Sequence, residues 1–189
     1  ATDAAGLDAM APAGRLREPL QGLSRATAVV VTRADSKEDV AAIHSRLRAA
    51  GLPCDDLIEV VFKPESCVSV QREESKLLEW CRRKKSWLVS GIGNSESFRR
   101  SAESAGVEVV GETIFQDHYR YKAEDVQGVR TAAQSAGADI VLTTEKDAGK
   151  LSLLLDPMDS WWALRVRAEV VRGDERLRNL VLGGIEKIV

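Results

Sequence analysis

Three times in 189 residues the same pattern recurs: an amphipathic helical stretch ends at Ala-Gly and an apolar strand follows. Residues 36–50 form the first expected helix. Ser36 with Asp39 makes a capping-box-like start, and Val40, Ile43 and Leu47 share one stripe. Gly51 supplies the stop, because a left-handed conformation costs glycine nothing. The second helix is expected over about 94–105, ending at Gly106 before a strand over 107–110. The third is expected over about 123–136, ending at Gly137 before a strand over 139–143. Gly106 and Gly137 stand 31 residues apart, the length of one strand–helix–strand unit. Further strands are expected over 28–32, 57–62, 87–90 and 163–171.

Segments 28–32 and 140–143 are nearly continuous apolar runs, the signature of strands buried on both faces of a parallel sheet. Their alternation with helices predicts an α/β fold: a Rossmann-like, mostly parallel sheet flanked by helices, with right-handed crossovers. Segment 161–171 differs. There Leu164, Val166, Ala168 and Val170 alternate with Arg165, Arg167 and Glu169, which predicts a half-exposed edge strand. The block Arg82-Arg83-Lys84-Lys85 is expected to be a solvated face before a strand, with phosphate binding as the alternative.

Charge narrows the partners. Against 29 Asp+Glu stand 27 Lys+Arg, a formal net charge of -2, which argues against an extended nucleic-acid-binding face. No apolar run approaches the ~18–20 residues of a membrane-spanning helix. Segment 1–14 lacks the basic start and apolar centre of a secretory leader. Cys54, Cys67 and Cys81 are odd in number, form no CxxC pair and accompany only two histidines, His44 and His118. Free thiols in a reducing compartment are expected rather than a structural zinc site, and the expected location is cytoplasmic.

In open parallel sheets, ligands bind beyond the carboxyl ends of strands. Four segments qualify by position or residue type. Gly91-Ile92-Gly93-Asn94 follows a strand and opens a helix; its glycines permit close backbone approach and its free N–H groups suit an anion, although tight turns select glycine anyway. Segment 115–121 gathers Asp117, His118, Tyr119, Arg120 and Tyr121 at a strand end. The unperturbed pKa of histidine lies nearest neutrality, so His118 is a candidate general base or charge partner, or else a loop histidine satisfied by its neighbours. His44, mid-helix beside Ile43, is expected to be structural. Thr144-Glu145-Lys146-Asp147 either holds a polar ligand or caps a helix, with Thr144 as N-cap and Asp147 at the third helical position. Leu16-Arg17-Glu18-Pro19 offers a carboxylate suited to a hard cation and a guanidinium suited to phosphate, or is an ordinary loop. No GxxxxGK[ST], GxSxG, HExxH or GxGxxG occurs in the chain.

In order, these four segments resemble the tetraacyldisaccharide 4'-kinase (lipid A 4'-kinase) family. The matching residues are Pro12-Ala13-Gly14-Arg15-Leu16-Arg17-Glu18-Pro19, Gly91-Ile92-Gly93-Asn94-Ser95-Glu96, Phe115-Gln116-Asp117-His118-Tyr119-Arg120-Tyr121 and Thr143-Thr144-Glu145-Lys146-Asp147. The likeness covers roughly residues 11–170. Ser95 stands where the family usually has proline, and Tyr119 where a second histidine is frequent. The resemblance implies two α/β lobes, of which this chain resembles the C-terminal one: an interlobe segment over 1–27, then the lobe over 28–189, without the N-terminal P-loop lobe. It implies transfer of the ATP γ-phosphoryl group to the 4'-hydroxyl of an acylated glucosamine disaccharide lipid, with ATP and Mg2+ as cofactors. By motif, His118 would be the catalytic histidine beside a carboxylate of the missing lobe, Arg17 the nucleotide-phosphate contact and Glu18 the metal ligand. Gly91, Gly93, Asn94, Asp117, Thr144, Glu145, Lys146 and Asp147 would line the cleft. Peripheral association with the cytoplasmic face of the inner membrane follows from the same likeness; the charge balance predicts no nucleic-acid partner, and the missing phosphate-cradling loop predicts that these 189 residues alone are inactive. Two other readings share the layered architecture: a non-catalytic α/β binding module and a lobe of a nucleotide-sugar enzyme.

Overall fold

A computed structural model describes residues 4–14, 16–52 and 57–185. In chain order its elements are β1 (Val30–Thr32), α1 (Lys37–Ala49), β2 (Ile58–Ser69), β3 (Ser75–Leu77), α2 (Leu78–Cys81), β4 (Lys85–Ser90), α3 (Ser95–Ser104), β5 (Glu108–Ile114), α4 (Ala123–Ser135), β6 (Ile140–Thr144), α5 (Glu145–Leu151), β7 (Trp161–Arg172) and α6 (Asp174–Ile185). The chain divides into two compact units, one built from residues 1–62 and 168–189, the other from 63–167.

In the first unit β1 runs parallel to the start of β2, with Val30 opposite Ile58 and Thr32 opposite Val60. Helix α1 begins as its sequence predicts: the Ser36 hydroxyl accepts the Asp39 N–H at 3.1 Å. It ends at Gly51, whose φ is +74°. Its apolar stripe puts Ile43 and Leu47 against Val31, Leu52 and Leu57.

The second unit holds the central sheet. Its strands lie in the order β7-β6-β4-β5, every neighbouring pair parallel, and the end of β2 pairs antiparallel with β3. Register sets Leu88 beside Leu142 and Leu142 beside Trp162, while Val89 faces Thr143 and Thr143 faces Ala163. Successive residues therefore point to opposite faces, and both faces are covered. Phe98, Ala102 and Ala105 at α3 pack with Leu88, Leu142 and Trp162. Val126, Val129 and Ala133 of α4 pack with Val89, Val141 and Trp161. Burial on both sides is the reason segment 140–143 is continuously apolar.

The parallel α/β architecture is the one expected, and glycine stops at Gly106 and Gly137, with φ of +84° and +66°, end the second and third helices. Strand β7 is half exposed as expected, but it is not an edge strand and its exposure does not alternate. Its first four residues, Trp161–Leu164, are all buried, whereas Val166 and Ala168 are exposed, so exposure changes along the strand rather than from face to face. The buried half is not at an edge: β6 pairs on one side, and the Val70 N–H donates to the Trp161 carbonyl at 3.0 Å on the other. The basic block is solvated as expected. Arg82, Arg83 and Lys85 are exposed, and the Lys84 ammonium lies 4.8 Å above the Trp80 ring. Cys67 and Cys81 are free thiols in the core; Cys54 lies outside the described residues. No helix among the described residues is long and apolar enough to cross a membrane.

Candidate active site

Because β4, β5 and β6 are adjacent and parallel, their carboxyl ends open on the same edge of the sheet. The Phe115 N–H donates to the Ser90 carbonyl at 2.8 Å, which ties the segment after β5 to the end of β4. Two of the helices leaving this edge, α3 and α5, are capped by the side chain at their N-cap. The Asn94 side chain accepts the Ser97 N–H at 2.9 Å at the start of α3. Thr144 caps α5, its hydroxyl accepting the Asp147 N–H at 3.1 Å and donating to Asp147 Oδ2 at 2.8 Å. Asp147 Oδ2 also accepts the Gly91 N–H at 2.9 Å. Gly91 has no room for a side chain: a methyl on its Cα would stand 2.7 Å from the Tyr121 hydroxyl and 3.3 Å from Asp147 Oδ1. At Gly93 a methyl would meet Asp117 Oδ2 at 3.4 Å.

The segment after β5 is an aromatic knot with a charged rim. Phe115 stacks on Tyr119 with centroids 4.7 Å apart and meets the edge of Tyr121 at 5.1 Å. The Tyr119 hydroxyl donates to Asp125 at 3.4 Å, and Asp125 also accepts the Lys122 N–H at 2.8 Å. On the rim, the Lys146 ammonium donates to Asp117 Oδ1 at 2.9 Å and Lys150 donates to the Tyr119 carbonyl at 3.3 Å. Lys146 holds the Asp117 carboxyl below the usual carboxylate range, with His118 adding to the effect. Burial pushes the Tyr121 hydroxyl well above an ordinary phenol, and the Asp147 charge reinforces this, so it stays a neutral donor. His118 has a φ of +61°, the left-handed region that side chains rarely occupy. Its imidazole is 77% exposed, with Nε2 3.8 Å from Asp117 Oδ2.

Gly91, Gly93, Asp117, His118, Thr144, Lys146 and Asp147 thus gather at one strand edge, as their positions predict. Glu145 turns instead to Arg165 at 2.9 Å, and Asn94 serves as a helix cap. Arg17 and Glu18 belong to the other unit. Arg17 is exposed. The Glu18 carboxylate is held through both oxygens by Arg25, at 2.6 and 2.8 Å. Among the described residues no three His, Cys, Asp or Glu side chains cluster as a metal ion requires. Glu18, paired with Arg25 and in no such cluster, does not form a magnesium centre from the described residues. His44 lies on α1 with Nε2 3.4 Å from Glu59, in keeping with a structural histidine.

Two residues of the cluster escape a motif-by-motif reading. Tyr121 belongs to the polar-aromatic segment, but nothing in its position announces a contact with Gly91. Lys150 stands three residues after Asp147 and four after Lys146; that spacing, which places all three on one helical face, is the signal that finds it.

Comparison with known proteins agrees with the motifs. The family model for Tetraacyldisaccharide-1-P 4'-kinase matches residues 1–186. A tetraacyldisaccharide 4'-kinase of Anaeromyxobacter sp. (strain Fw109-5) is 34% identical over 166 residues, 88% of this chain and 44% of the relative. That of Chlorobaculum parvum (strain DSM 263 / NCIMB 8327) is 36% identical over 142 residues, 75% of this chain and 37% of the relative. A crystal structure of LpxK from Aquifex aeolicus in complex with ATP shares the fold with a TM-score of 0.58 at 23% identity, covering 92% of this chain and 47% of that one. The chain therefore spans about half the length of the relatives it matches or less. With the four motifs in order and a family match over nearly its whole length, this chain belongs to the tetraacyldisaccharide-1-P 4'-kinase family.

Proposed function

We propose that this chain works as the C-terminal lobe of a kinase that transfers the γ-phosphoryl group of ATP to the 4'-hydroxyl of tetraacyldisaccharide 1-phosphate in lipid A biosynthesis. Phosphoryl transfer asks a protein for positioning and charge stabilisation rather than covalent chemistry. The observation that carries the reading is His118: an exposed imidazole held in a left-handed backbone conformation where the loops after β4, β5 and β6 converge. Energetically unfavourable backbone of this kind persists where the surroundings impose it, and it clusters at functional sites. Asp117, anchored by Lys146, sets the electrostatic environment of the imidazole. In this reading His118 orients or polarises a catalytic carboxylate supplied by the P-loop lobe. The exposed fork of Arg17 suits a nucleotide phosphate. Gly91, Gly93, Thr144 and Lys146 line the cleft beside His118 in this reading. The Mg2+ that the resemblance implies is given no step in this reading, because Glu18 is paired with Arg25. An acylated disaccharide is embedded in a lipid surface, which supports peripheral work at the cytoplasmic face of the inner membrane.

The test compares His118→Ala with His44→Ala in the whole enzyme, with labelled ATP and the lipid acceptor. Assistance to proton transfer is typically worth ~10²–10⁴-fold, and a loss of that size is expected in kcat and kcat/KM together, with KM for ATP little changed. His44→Ala should keep nearly normal turnover. A folded His118→Ala enzyme with more than about half the wild-type kcat would show the imidazole to be a loop residue.

A further inference from the structure

Asp147 is fully buried, and the reading above gives it no chemistry. A buried carboxylate is costly unless several donors compensate its charge. Oδ2 has two, the Gly91 N–H and the Thr144 hydroxyl. Oδ1 makes no hydrogen bond of ordinary geometry, and the Lys150 ammonium stands 3.6 Å away. The Tyr121 hydroxyl is likewise buried without an ordinary partner. Both atoms border the same point, the position a Cβ on Gly91 would take, at 2.7 Å and 3.3 Å. A neutral phenol and a carboxylate oxygen left over beside the same glycine are complementary, and the Asp147 charge adds to burial in raising the Tyr121 hydroxyl.

We propose that Asp147 and Tyr121 form a buried positioning pair, the Tyr121 hydroxyl donating to Asp147 Oδ1, that locks the turn at Gly91, the His118 loop and the start of α5 into one body. The pair connects three segments that are remote in sequence. Oδ2 holds the end of β4 through Gly91. The side chain itself issues from α5. Tyr121, three residues after His118, closes the far end of the loop whose near end Phe115 ties to Ser90. Lys150 braces the same loop from α5 through the Tyr119 carbonyl, so loop and helix are joined on both sides of the aromatic knot. Gly91 is then required for close approach: a side chain there would separate the two partners.

This inference rests on the reading of His118 as the acting imidazole, and its test has one arm that does not depend on it. The variants are Tyr121→Phe, which removes only the donor, and Asp147→Asn, which keeps shape but removes the charge. In the first arm, hydrogen exchange is measured on the whole protein. Exchange at the Gly91 amide and through residues 115–121 should accelerate at least tenfold in both variants, with α1 unchanged. In the second arm, kinase turnover should fall about tenfold or more in Tyr121→Phe while KM for ATP stays within twofold. Unchanged exchange at Gly91 and 115–121 in both variants would sink the pair, whatever the activity. Faster exchange or lower stability with kcat unchanged would assign the pair to packing alone and equally overturn a positioning role. If the wild-type enzyme transfers no phosphoryl group, the kinase reading fails by itself, and the exchange arm still decides the lock.

Discussion

At His118 the backbone and the side chain have opposed interests. A left-handed φ crowds Cβ against the following carbonyl at a cost of ~1–2 kcal/mol, whereas glycine there forfeits ~0.5–1 kcal/mol through the freedom of its unfolded chain. His118→Gly should therefore leave the protein about 0.5–1 kcal/mol more stable, a balance of those two effects, while removing phosphoryl transfer as His118→Ala does. Denaturant unfolding beside the activity assay checks both signs. A destabilisation above about 1 kcal/mol would mean that the imidazole is held for its packing. Left-handed backbone alone does not mark a site, since Arg33 and Arg83 share it, with φ of +57° and +64°. At Arg83 it serves a turn whose N–H donates to the Gly106 carbonyl at 2.7 Å. His118 differs in what surrounds it: Asp117 anchored by Lys146, glycine-bearing backbone at 91–93, and a buried carboxylate beneath.

Among the elements, β6 bears most on the site, because it carries Thr144 and Asp147 out of the sheet centre. Leu142 is fully buried between Leu88 and Trp162. Leu142→Ala should cost ~2–5 kcal/mol, the spread reflecting how far the neighbours relax into the cavity. Urea unfolding should show a lower midpoint at unchanged slope, and a cost below about 1 kcal/mol would mean that the sheet centre is loosely packed. Elements of this kind were legible in advance: the continuous apolar run of β6 and the stops at Gly51, Gly106 and Gly137 are local consequences of burial on both faces and of backbone handedness. Strand β3 was not, since Ser75-Lys76-Leu77 is too short to show a period and leaves Leu77 exposed. Strand β7 misled because alternation implies two faces only when burial is uniform along the strand. The site divides along the same line. Strand ends and helix caps announced Gly91, Asn94, His118 and Thr144, whereas the meeting of Tyr121 with Asp147 depends on which strands are neighbours in the sheet. The Glu145–Arg165 pair likewise depends on β7 lying beside β6.

At the scale of the molecule, the motifs are distributed over two compact units whose boundaries fall within β2 and β7, at residues 62/63 and 167/168. The His118 cluster is contained in one unit, and Arg17 and Glu18 in the other. Neither contains a phosphate cradle of the GxxxxGK[ST] kind, and no metal cluster forms among the described residues. Phosphoryl transfer draws its rate from a backbone that wraps the β- and γ-phosphates and from cations that neutralise developing charge. An isolated guanidinium such as Arg17, exposed to water, supplies little of either. Micromolar affinity for Mg-ATP would correspond to about -8 kcal/mol, far beyond what one or two exposed cations provide. These 189 residues by themselves should accordingly bind Mg-ATP only weakly and neither hydrolyse it nor phosphorylate a lipid acceptor. Calorimetric titration with Mg-ATP, run beside a turnover assay, checks both expectations. Micromolar binding accompanied by turnover would mean that the chain builds a complete phosphoryl-transfer site from its own residues. In that case the charged rim of Asp117, His118, Lys146 and Lys150 is the first place to look for it.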